Sequence, residues 1–378
     1  MTRPASPGYS SLFRRATGMW DASRLRRFET RDIVRRLGVL NREHVVINGY
    51  PVHHPVTVFN SAVTVERTEE GEFLVLYARI VAGYYMYVSS VIEIPIPLED
   101  IHNGDINLNI YTGRIVIYPS TRYDLWGAED PRVYQLEGDK RLYMTYTGRT
   151  VNYFRPGNER TLPVTAVREE GDDGQPRWVK IHAYTLAGGL QKHLVSNKDA
   201  FLYRQGDELY LFQRLHMDSE EFFTVVSKLP SNIVEKRRDD DCPERVEVSD
   251  GFEVLRPAGF ETKIGWATPP IRTGRDSVVV LIHGVDEELQ AYRVFAAELE
   301  LKPDEVVVKA VTPHYIMAPQ RLWEIFGDRP YVVFPCGIWP LEGRNYVISY
   351  GASDTFVGIG LLNLDELLGE LDKGRIYE

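Results

Sequence analysis

One unit of strands and turns recurs five times in this chain of 378 residues. Each copy has a polar segment, a strand-like run, a charged turn containing glycine, and a second run rich in aliphatic and aromatic residues. The copies begin at positions 59, 129, 197, 265 and 333, so successive steps are 70, 68, 68 and 68 residues long. A step of this length accommodates about four strands with their turns. The five turns fall at 69–72, 137–140, 205–208, 273–276 and 342–345.

Repeated four-stranded units are typical of a β-propeller, in which radial closure protects the strand edges. The predicted fold class is therefore all-β, a five-bladed β-propeller with an N-terminal helical arm. The predicted boundaries are 1–45 for an Arg-rich helical arm and 46–378 for the propeller, which would carry the catalytic residues. Two unrelated β-sandwiches are the alternative, but they do not explain so even a period.

The first 42 residues are strongly basic, with ten arginines against three acidic residues. An apolar stripe among the arginines predicts one or two short amphipathic helices that end near Gly38. Three interpretations stay open for this arm: packing on the body or on another subunit, a solvated basic arm, or a nucleic-acid or membrane contact. We favour packing and expect a homo-oligomer. The stripe consists of Leu25, Phe28, Ile33, Val34 and Leu37.

The overall charge excludes some classes of function. A net charge of −10 argues against wholesale binding of nucleic acid, because the phosphate backbone favours basic surfaces. No apolar run is long enough to span a bilayer, and no secretory signal is recognisable. Cys242 and Cys336 form no CxxC pair, which speaks against a cysteine zinc site or a disulfide framework. We therefore expect a cytoplasmic protein without membrane or nucleic-acid partners.

Polar residues occupy the ends of the repeated strands, and propellers bring such positions together at their axis. Arginines there need partners, and we predict that Arg132 pairs with a neighbouring carboxylate to join blades. The remaining surplus of cations predicts an anion site, for which arginine and lysine suit phosphate. The axial candidates are Asn60, Arg79, Asp130, Arg149, Lys198, Asp199, Arg214, His283 and Asp354, and the aromatic candidates for sugar stacking are Tyr77, Trp126, Tyr146, Trp266 and Tyr350.

Two carboxylates alone would suggest glycoside hydrolysis, with one acid and one nucleophile or base. A carboxylate beside a cationic cluster fits another scheme, in which inorganic phosphate attacks the anomeric carbon and no catalytic base is needed. Neither scheme is decided by these residues alone.

Several motifs, in order over about residues 55–370, resemble glycoside hydrolase family 130, the β-mannoside phosphorylases. They are Gly127-Ala-Glu-Asp-Pro-Arg-Val, Tyr143-Met-Thr-Tyr-Thr-Gly, Asn197-Lys-Asp-Ala, Ile264-Gly with Pro269-Pro, His283-Gly, Tyr292-Arg, Val332-Val-Phe-Pro-Cys-Gly and Tyr350-Gly-Ala-Ser-Asp-Thr. The resemblance implies a five-bladed propeller and an inverting phosphorolysis of a β-mannoside, with a β-1,4 or β-1,2 linkage, that yields α-mannose 1-phosphate.

The same resemblance implies roles for individual residues. Asp130 matches the general acid, whose proton reaches the leaving oxygen through a hydroxyl of the mannose. The implied phosphate ligands are Arg149, Lys198, His283 and Tyr292, and the implied sugar-holding residues are Asn60, Arg79, Glu129, Asp199, Arg214 and Asp354. For Asp199, the alternative to holding the sugar is a structural role in the blade. The implied partners are a β-mannoside oligosaccharide and phosphate.

The chain also departs from the family pattern. Thr150 stands where an amide is usual, Gln213-Arg214 replaces His-Arg, and the stretch from Val81 to Glu93 lacks the usual Arg-containing segment. These departures leave the acceptor sugar open and keep two alternatives: a β-mannoside hydrolase of the same family and a non-catalytic sugar-binding propeller. No metal or organic cofactor is expected, because His53-His54 and His216 with Asp218 are the nearest approach to a ligand set.

Overall fold

The computed structural model describes residues 12–171, 174–234 and 242–377, and these form mostly β-strands. The strands in chain order begin with β1 (Arg14–Arg15), β2 (Arg35–Leu40), β3 (Val45–Asn48), β4 (Thr57–Thr68), β5 (Gly71–Val81), β6 (Ser89–Pro97), β7 (Tyr111–Ile117) and β8 (Ala128–Gln135). They continue with β9 (Leu142–Arg149), β10 (Thr161–Glu170), β11 (Pro176–Leu186), β12 (Leu194–Gln205), β13 (Glu208–Met217), β14 (Phe222–Leu229), β15 (Glu244–Val248) and β16 (Phe252–Leu255).

The last third of the chain has the same character. It contains β17 (Glu261–Trp266), β18 (Ile271–Arg272), β19 (Ser277–Asp286), β20 (Tyr292–Lys302), β21 (Glu305–Val311), β22 (Val333–Pro340), β23 (Asn345–Ala352) and β24 (Phe356–Asn363). The α-helices are short: α1 (Met19–Leu25), α2 (Leu98–Asn103), α3 (Leu322–Ile325) and α4 (Leu364–Asp372).

These strands form five small sheets arranged as a five-bladed β-propeller, which confirms the predicted fold. Blade 1 has the order β3-β7-β6-β5-β4, blade 2 the order β15-β11-β10-β9-β8, and blade 3 the order β1-β16-β14-β13-β12. Blade 4 has the order β17-β19-β20-β21, with β18 also paired to β19, and blade 5 has the order β2-β24-β23-β22. The five sequence repeats correspond to the inner hairpins of the blades, and the five predicted turns lie at the hairpin tips.

The outer edges of three blades are covered by an extra strand from a distant part of the chain. Strands β3, β15 and β1 pair in parallel with β7, β11 and β16, respectively. On blade 5, β2 pairs antiparallel with β24, so a strand near the beginning of the chain completes the blade that contains the end of it. Such strands protect edges that would otherwise pair with other chains.

The described part of the predicted arm is mostly extended. Helix α1 covers only Met19–Leu25, and Ile33, Val34 and Leu37 lie outside it, so the helical prediction is wrong for the second half of this segment. Part of the apolar stripe packs on the blades instead of along a helix, because Ile33 and Val34 join the core beside blade 5, whereas Leu25 and Phe28 are exposed. The first 11 residues lie outside the described part of the chain.

The terminal helix agrees with the pattern Leu362-Asn-Leu-Asp-Glu-Leu-Leu, since α4 begins at Leu364. Asn363 caps it by accepting hydrogen bonds from the backbone amides of Asp365 and Glu366. No helix in the described ranges is both long and apolar enough to cross a membrane.

Candidate active site

The innermost strands of blades 1 to 3 share one backbone irregularity. Each has a register shift at a residue with a left-handed backbone: Asn60 with φ 45°, Asp130 with φ 50° and Asp199 with φ 54°. Asn and Asp tolerate this region better than other residues with a side chain. The bulge redirects each side chain from the blade toward the axis. Residues at equivalent positions of the sequence repeats therefore come close together in space.

Glu129 is the hub of the first cluster. Its Oε1 accepts a hydrogen bond from Arg149 Nε at 2.8 Å and lies 3.2 Å from an Arg79 guanidinium nitrogen, and its Oε2 accepts from Lys198 Nζ at 2.9 Å. Burial alone would raise the pKa of Glu129, but the three cations hold it well below its usual range. One ionised carboxylate thus positions three cationic side chains from three blades.

Asp130 lies beside this hub and faces the axis. Its Oδ1 accepts hydrogen bonds from Asn60 Nδ2 at 2.8 Å and from Arg79 at 3.0 Å. Both bonds described for this carboxylate reach Oδ1, so Oδ2 is the atom that is left to meet a substrate. The Asn60 amide packs directly against the backbone of Gly351, where any side chain would collide with the amide oxygen.

Asp199 is the hub of a second, deeper cluster. Its Oδ1 accepts from Arg132 at 3.1 Å, and its Oδ2 lies 2.7 Å from Arg214 Nε and 3.5 Å from His283 Nε2. Burial would raise the pKa of Asp199, but Arg214, His283 and Arg132 lower it. The space beside the carboxylate is filled, since a Cβ on Gly265 would approach its Oδ2 to 2.5 Å.

Arg132 joins three blades, as the sequence predicted. It is fully buried and donates to the carbonyl of Asp130, to Asp199, and to the carbonyls of Trp266 and Ala267. Because every one of these bonds is internal, Arg132 is a structural residue that carries the Asp130 backbone.

His283 and Tyr292 lie beside each other on blade 4. Their ring centroids are 5.6 Å apart, and Phe334 packs against both rings. Burial lowers the pKa of His283 to about 3, against the attraction of Asp199. The imidazole is therefore neutral at physiological pH and brings no positive charge to an anion.

The pKa of Asp354 is shifted upward, in the opposite direction to that of His283. Burial raises its pKa to about 6, and the nearby Asp130 adds to that effect while Arg79 opposes it. Its backbone is left-handed, with φ 51°. A carboxyl group that titrates near neutrality thus lies within electrostatic range of Asp130.

The exposed fraction of each side chain separates residues that can touch a ligand from those that support them. Lys198, Arg79, Arg149 and Asp130 are 24%, 13%, 11% and 10% exposed, respectively. Glu129 and Asp199 are each 2% exposed, and His283 is 1% exposed. Glu129, Asp199 and His283 therefore lie beneath the surface of the site, where they can support the more exposed side chains.

The aromatic prediction was largely wrong. Tyr77, Tyr146, Trp266 and Tyr350 are buried in the cores of the blades and cannot stack on a sugar. The strand periodicity that places large residues in a core outweighed their chemistry. Among the five candidates, Trp126 alone is partly exposed.

Exposed aromatic residues instead lie on two loops of the same face, which the sequence analysis missed. The loop after β5 holds Tyr87, whose ring centroid is 6.1 Å from that of Tyr153 in the loop after β9. Tyr153 also contacts Phe154 and lies 4.8 Å from the Arg149 guanidinium. A run of tyrosines in a loop, Tyr84-Tyr-Met-Tyr, was the signal that could have identified them.

A cavity of about 710 Å³ lies farther out on blade 1. It is lined by the loop after β5, including Tyr85, and by Tyr50 and Tyr118. None of the predicted site residues contributes to it. The cavity is therefore adjacent to the loop face but separate from the Glu129 and Asp199 clusters.

The nearest metal-ligand candidates do not assemble into a site in the described ranges. His216 bonds Glu220 at 3.1 Å, whereas Asp218 bonds His193 at 2.8 Å. No group of three His, Cys, Asp or Glu side chains within these ranges could hold a metal ion. The expectation that no cofactor is needed stays a prediction.

Comparison with known proteins places this geometry in context. The sequence profile of the family described as beta-1,4-mannooligosaccharide phosphorylase matches residues 24–373. A Beta-1,2-mannobiose phosphorylase of Thermoanaerobacter sp. (strain X514) is 28% identical over 250 residues, which cover 65% of this chain and 69% of that protein. A 1,2-beta-oligomannan phosphorylase of the same strain is 25% identical over 253 residues, which cover 67% and 73%.

A solved structure shares the fold. The Beta-1,2-mannobiose phosphorylase from Listeria innocua, in complex with beta-1,2-mannobiose, matches with a TM-score of 0.60 at 18% identity. The match covers 90% of this chain and 97% of that chain.

Proposed function

This chain belongs to glycoside hydrolase family 130, and from that membership we propose that it is an inverting phosphorylase of β-mannosides. It would cleave the mannoside with inorganic phosphate and release α-mannose 1-phosphate. A β-1,2 or β-1,4 linkage, a cytoplasmic location and a homo-oligomeric assembly are parts of the same proposal. The named activities of the relatives support the reaction class.

The observation that carries the proposal is the carboxylate Asp130 beside a cationic wall. Arg79, Arg149 and Lys198 all pair with the buried carboxylate Glu129, and Arg79 also pairs with Asp130, so three cations contact two carboxylates. A hydrolase needs a second carboxylate to activate water. A phosphorylase needs a cationic site for its anionic nucleophile, which is what surrounds Asp130.

The proposed reaction is a single displacement at the anomeric carbon. A phosphate oxygen forms a bond to the anomeric carbon from the face opposite the leaving group, and the bond to the leaving oxygen breaks through an oxocarbenium-like transition state. Asp130 supplies the proton that the leaving oxygen takes up, through a hydroxyl of the mannose, as the family resemblance implies. The configuration inverts, so a β-mannoside gives an α-phosphate.

The other residues hold the reactants. Arg149 and Lys198 would orient phosphate and stabilise its charge. Asn60 and Arg79 fix the Asp130 carboxylate and face the mannose, and Asp354 stands nearby as a sugar-holding residue. The contacts of Asp199, Glu129 and His283 support a positioning role for all three, and Arg214, which is 9% exposed, is left to reach the sugar.

One incubation tests the proposal. The protein is mixed with β-1,2-mannobiose or β-1,4-mannobiose, with and without phosphate, and mannose 1-phosphate and free mannose are measured. We expect mannose 1-phosphate only when phosphate is present. Release of free mannose without phosphate would identify a hydrolase instead, and absence of turnover of any mannoside would identify a sugar-binding module.

A further inference from the structure

Within the described ranges, two cationic side chains beside Tyr292 lack an ion-pair partner. Lys263 in β17 and Arg329 in the loop after α3 have no carboxylate within 4.0 Å among residues 12–171, 174–234 and 242–377, the part with described structure. Arg79, Arg149 and Lys198, in contrast, are bound to Glu129. Lys263 and Arg329 therefore carry positive charge that no described carboxylate contacts directly.

Both side chains flank the same ring. Lys263 Nζ is 5.5 Å from the centroid of the Tyr292 ring, and Arg329 Cζ is 4.5 Å from it. Phe222 of blade 3 closes the other side of Lys263, with its ring centroid 5.7 Å from Nζ. The two cations thus meet around Tyr292, where blades 3, 4 and 5 adjoin.

Lys263 is partly buried in electropositive surroundings. Burial lowers the pKa of Lys263 to about 7, and Arg214, Arg329 and Lys198 lower it further, against the attraction of Asp199. Arg329 is exposed, and its positive charge acts to lower the pKa of the nearby Asp354 carboxyl. Holding an unpaired lysine beside three other cations destabilises the folded protein in the absence of a ligand. This arrangement therefore favours a role for Lys263 in binding an anion.

We propose that Lys263 and Arg329 form the second wall of the phosphate site and bind the dianion against Tyr292, opposite Arg149 and Lys198. The inference rests on the proposed function and deepens it, since it assigns two phosphate ligands that the sequence motifs do not include. The ligand chemistry is a tetrahedral dianion, which is free phosphate in cleavage and the phosphate group of mannose 1-phosphate in synthesis.

The test is a comparison of Lys263→Met and Arg329→Met with the wild type in both reaction directions. We expect the KM for phosphate, and the KM for mannose 1-phosphate in synthesis, to rise roughly tenfold or more through loss of a charge-assisted bond. The KM for the mannoside should change much less. Direct titration of inorganic phosphate into each variant by calorimetry should show the same loss of affinity without turnover.

Matched controls lie on the opposite face of the propeller. Lys140→Met and Arg275→Met remove an exposed cation from the inner hairpin tips of blades 2 and 4, and should leave phosphate affinity unchanged. Thermal unfolding of each variant checks that the fold is retained. The inference is wrong if Lys263→Met and Arg329→Met bind phosphate as tightly as the wild type, or if the KM values for mannoside and phosphate rise equally.

A pH series on one further variant isolates Lys263. Sulfate is the probe, because its charge is constant between about pH 7 and pH 9, where the Asp354 carboxyl is already ionised. Sulfate binding to the wild type should weaken over this range as Lys263 loses its proton, whereas Lys263→Arg should bind throughout. An identical pH dependence in both proteins would overturn the assignment. A wild type that binds phosphate but makes no mannose 1-phosphate would instead refute only the proposed reaction.

Discussion

At the scale of single residues, the site depends on side chains that the backbone holds in left-handed geometry. Asn60, Asp130, Asp199 and Asp354 all have φ between 45° and 54°. This geometry is uncommon for residues other than glycine, and it persists where the surrounding structure enforces it. Asn60 holds the carboxylate of Asp130, and Asp354 lies near it. Substitutions that keep the amide or acid shape can therefore separate chemistry from folding.

Asp130→Asn is the most direct of these substitutions. Asparagine tolerates the left-handed backbone and can still contact Asn60 and Arg79, but it carries no transferable proton. We expect kcat for phosphorolysis of a mannobiose to fall by about 10²–10⁴-fold, the usual contribution of a general acid. The thermal midpoint should change little. A variant with undiminished turnover would remove Asp130 from the acid role.

Asp354 gives a prediction about pH and stability. Its pKa in the folded protein is raised to about 6, so the folded state holds the proton more tightly than the unfolded chain does. Stability from this group is therefore greatest at acid pH and falls as pH rises through about 4 to 6. Asp354→Asn removes the buried charge and should raise Tm by about 2 °C at pH 8.

The gain in Tm should disappear near pH 4, where the wild-type carboxyl is protonated as well. Asp207→Asn, an exposed change in the hairpin turn between β12 and β13, is the control and should give no pH-dependent difference. Calorimetric scans at both pH values provide the comparison. An equal effect of Asp354→Asn at pH 4 and pH 8 would contradict the assignment of the raised pKa to burial.

At the scale of elements, the inner hairpins were predictable and the loops were not. The repeat of about 68 residues located every hairpin tip, because a strand pattern with a glycine turn is a local property of sequence. The same local reasoning identified Asn60, Asp130 and the pair Lys198 and Asp199 as polar residues at the entries of the repeated strands. The meeting of Lys263 and Arg329 around Tyr292 depends on which blades adjoin, and no local pattern contains that information.

The loops also explain why aromatic residues were misassigned. Tyr77, Tyr146 and Tyr350 lie within the repeated strands, where pattern alone could not tell a core position from an axial one. Tyr87 and Tyr153 lie in segments without periodicity, whose proximity of 6.1 Å arises from neighbouring blades. The departures from the family pattern after Val81 are located in one of these loops.

We predict that Tyr153 contributes to binding of the mannoside. Its ring is exposed, lies 4.8 Å from the Arg149 guanidinium, and offers a face to a sugar beyond the Asp130 site. Tyr153→Ala should raise the KM for a mannobiose about fivefold to tenfold, in line with loss of one aromatic contact. Tyr377→Ala, which removes a tyrosine next to blade 4, is the control. Equal KM values for both variants would exclude this role.

At the scale of the whole molecule, the basic segment before residue 46 closes the propeller instead of standing apart from it. Arg26 lies 3.0 Å from buried Glu261 on blade 4 and stacks on Phe295. Farther along, β2 pairs with β24 on blade 5. The surplus of arginine that the sequence suggested for assembly thus has internal carboxylate partners, and an oligomeric role for this segment stays a prediction.

Arg36 is the strongest of these links. Its guanidinium, 2% exposed, bonds Glu324 at 2.9 Å and Asp32 at 2.6 Å, and Tyr350 donates to the same Glu324. Burial would raise the pKa of Glu324, but the bonds from Arg36 lower it, so this pair stabilises the fold above the usual pKa of the carboxyl and loses its effect as pH falls.

Arg36→Met should therefore destabilise the propeller by about 3–5 kcal/mol at neutral pH, because it leaves Glu324 charged and buried without its partner. Urea unfolding at pH 7 and pH 4 measures the effect, which should shrink at pH 4 as the carboxyl takes up a proton. The neighbouring Arg35→Met removes an exposed guanidinium from the same strand and should cost little. If both variants unfold alike, or if the loss at Arg36 is the same at both pH values, closure of blade 5 does not depend on this buried pair.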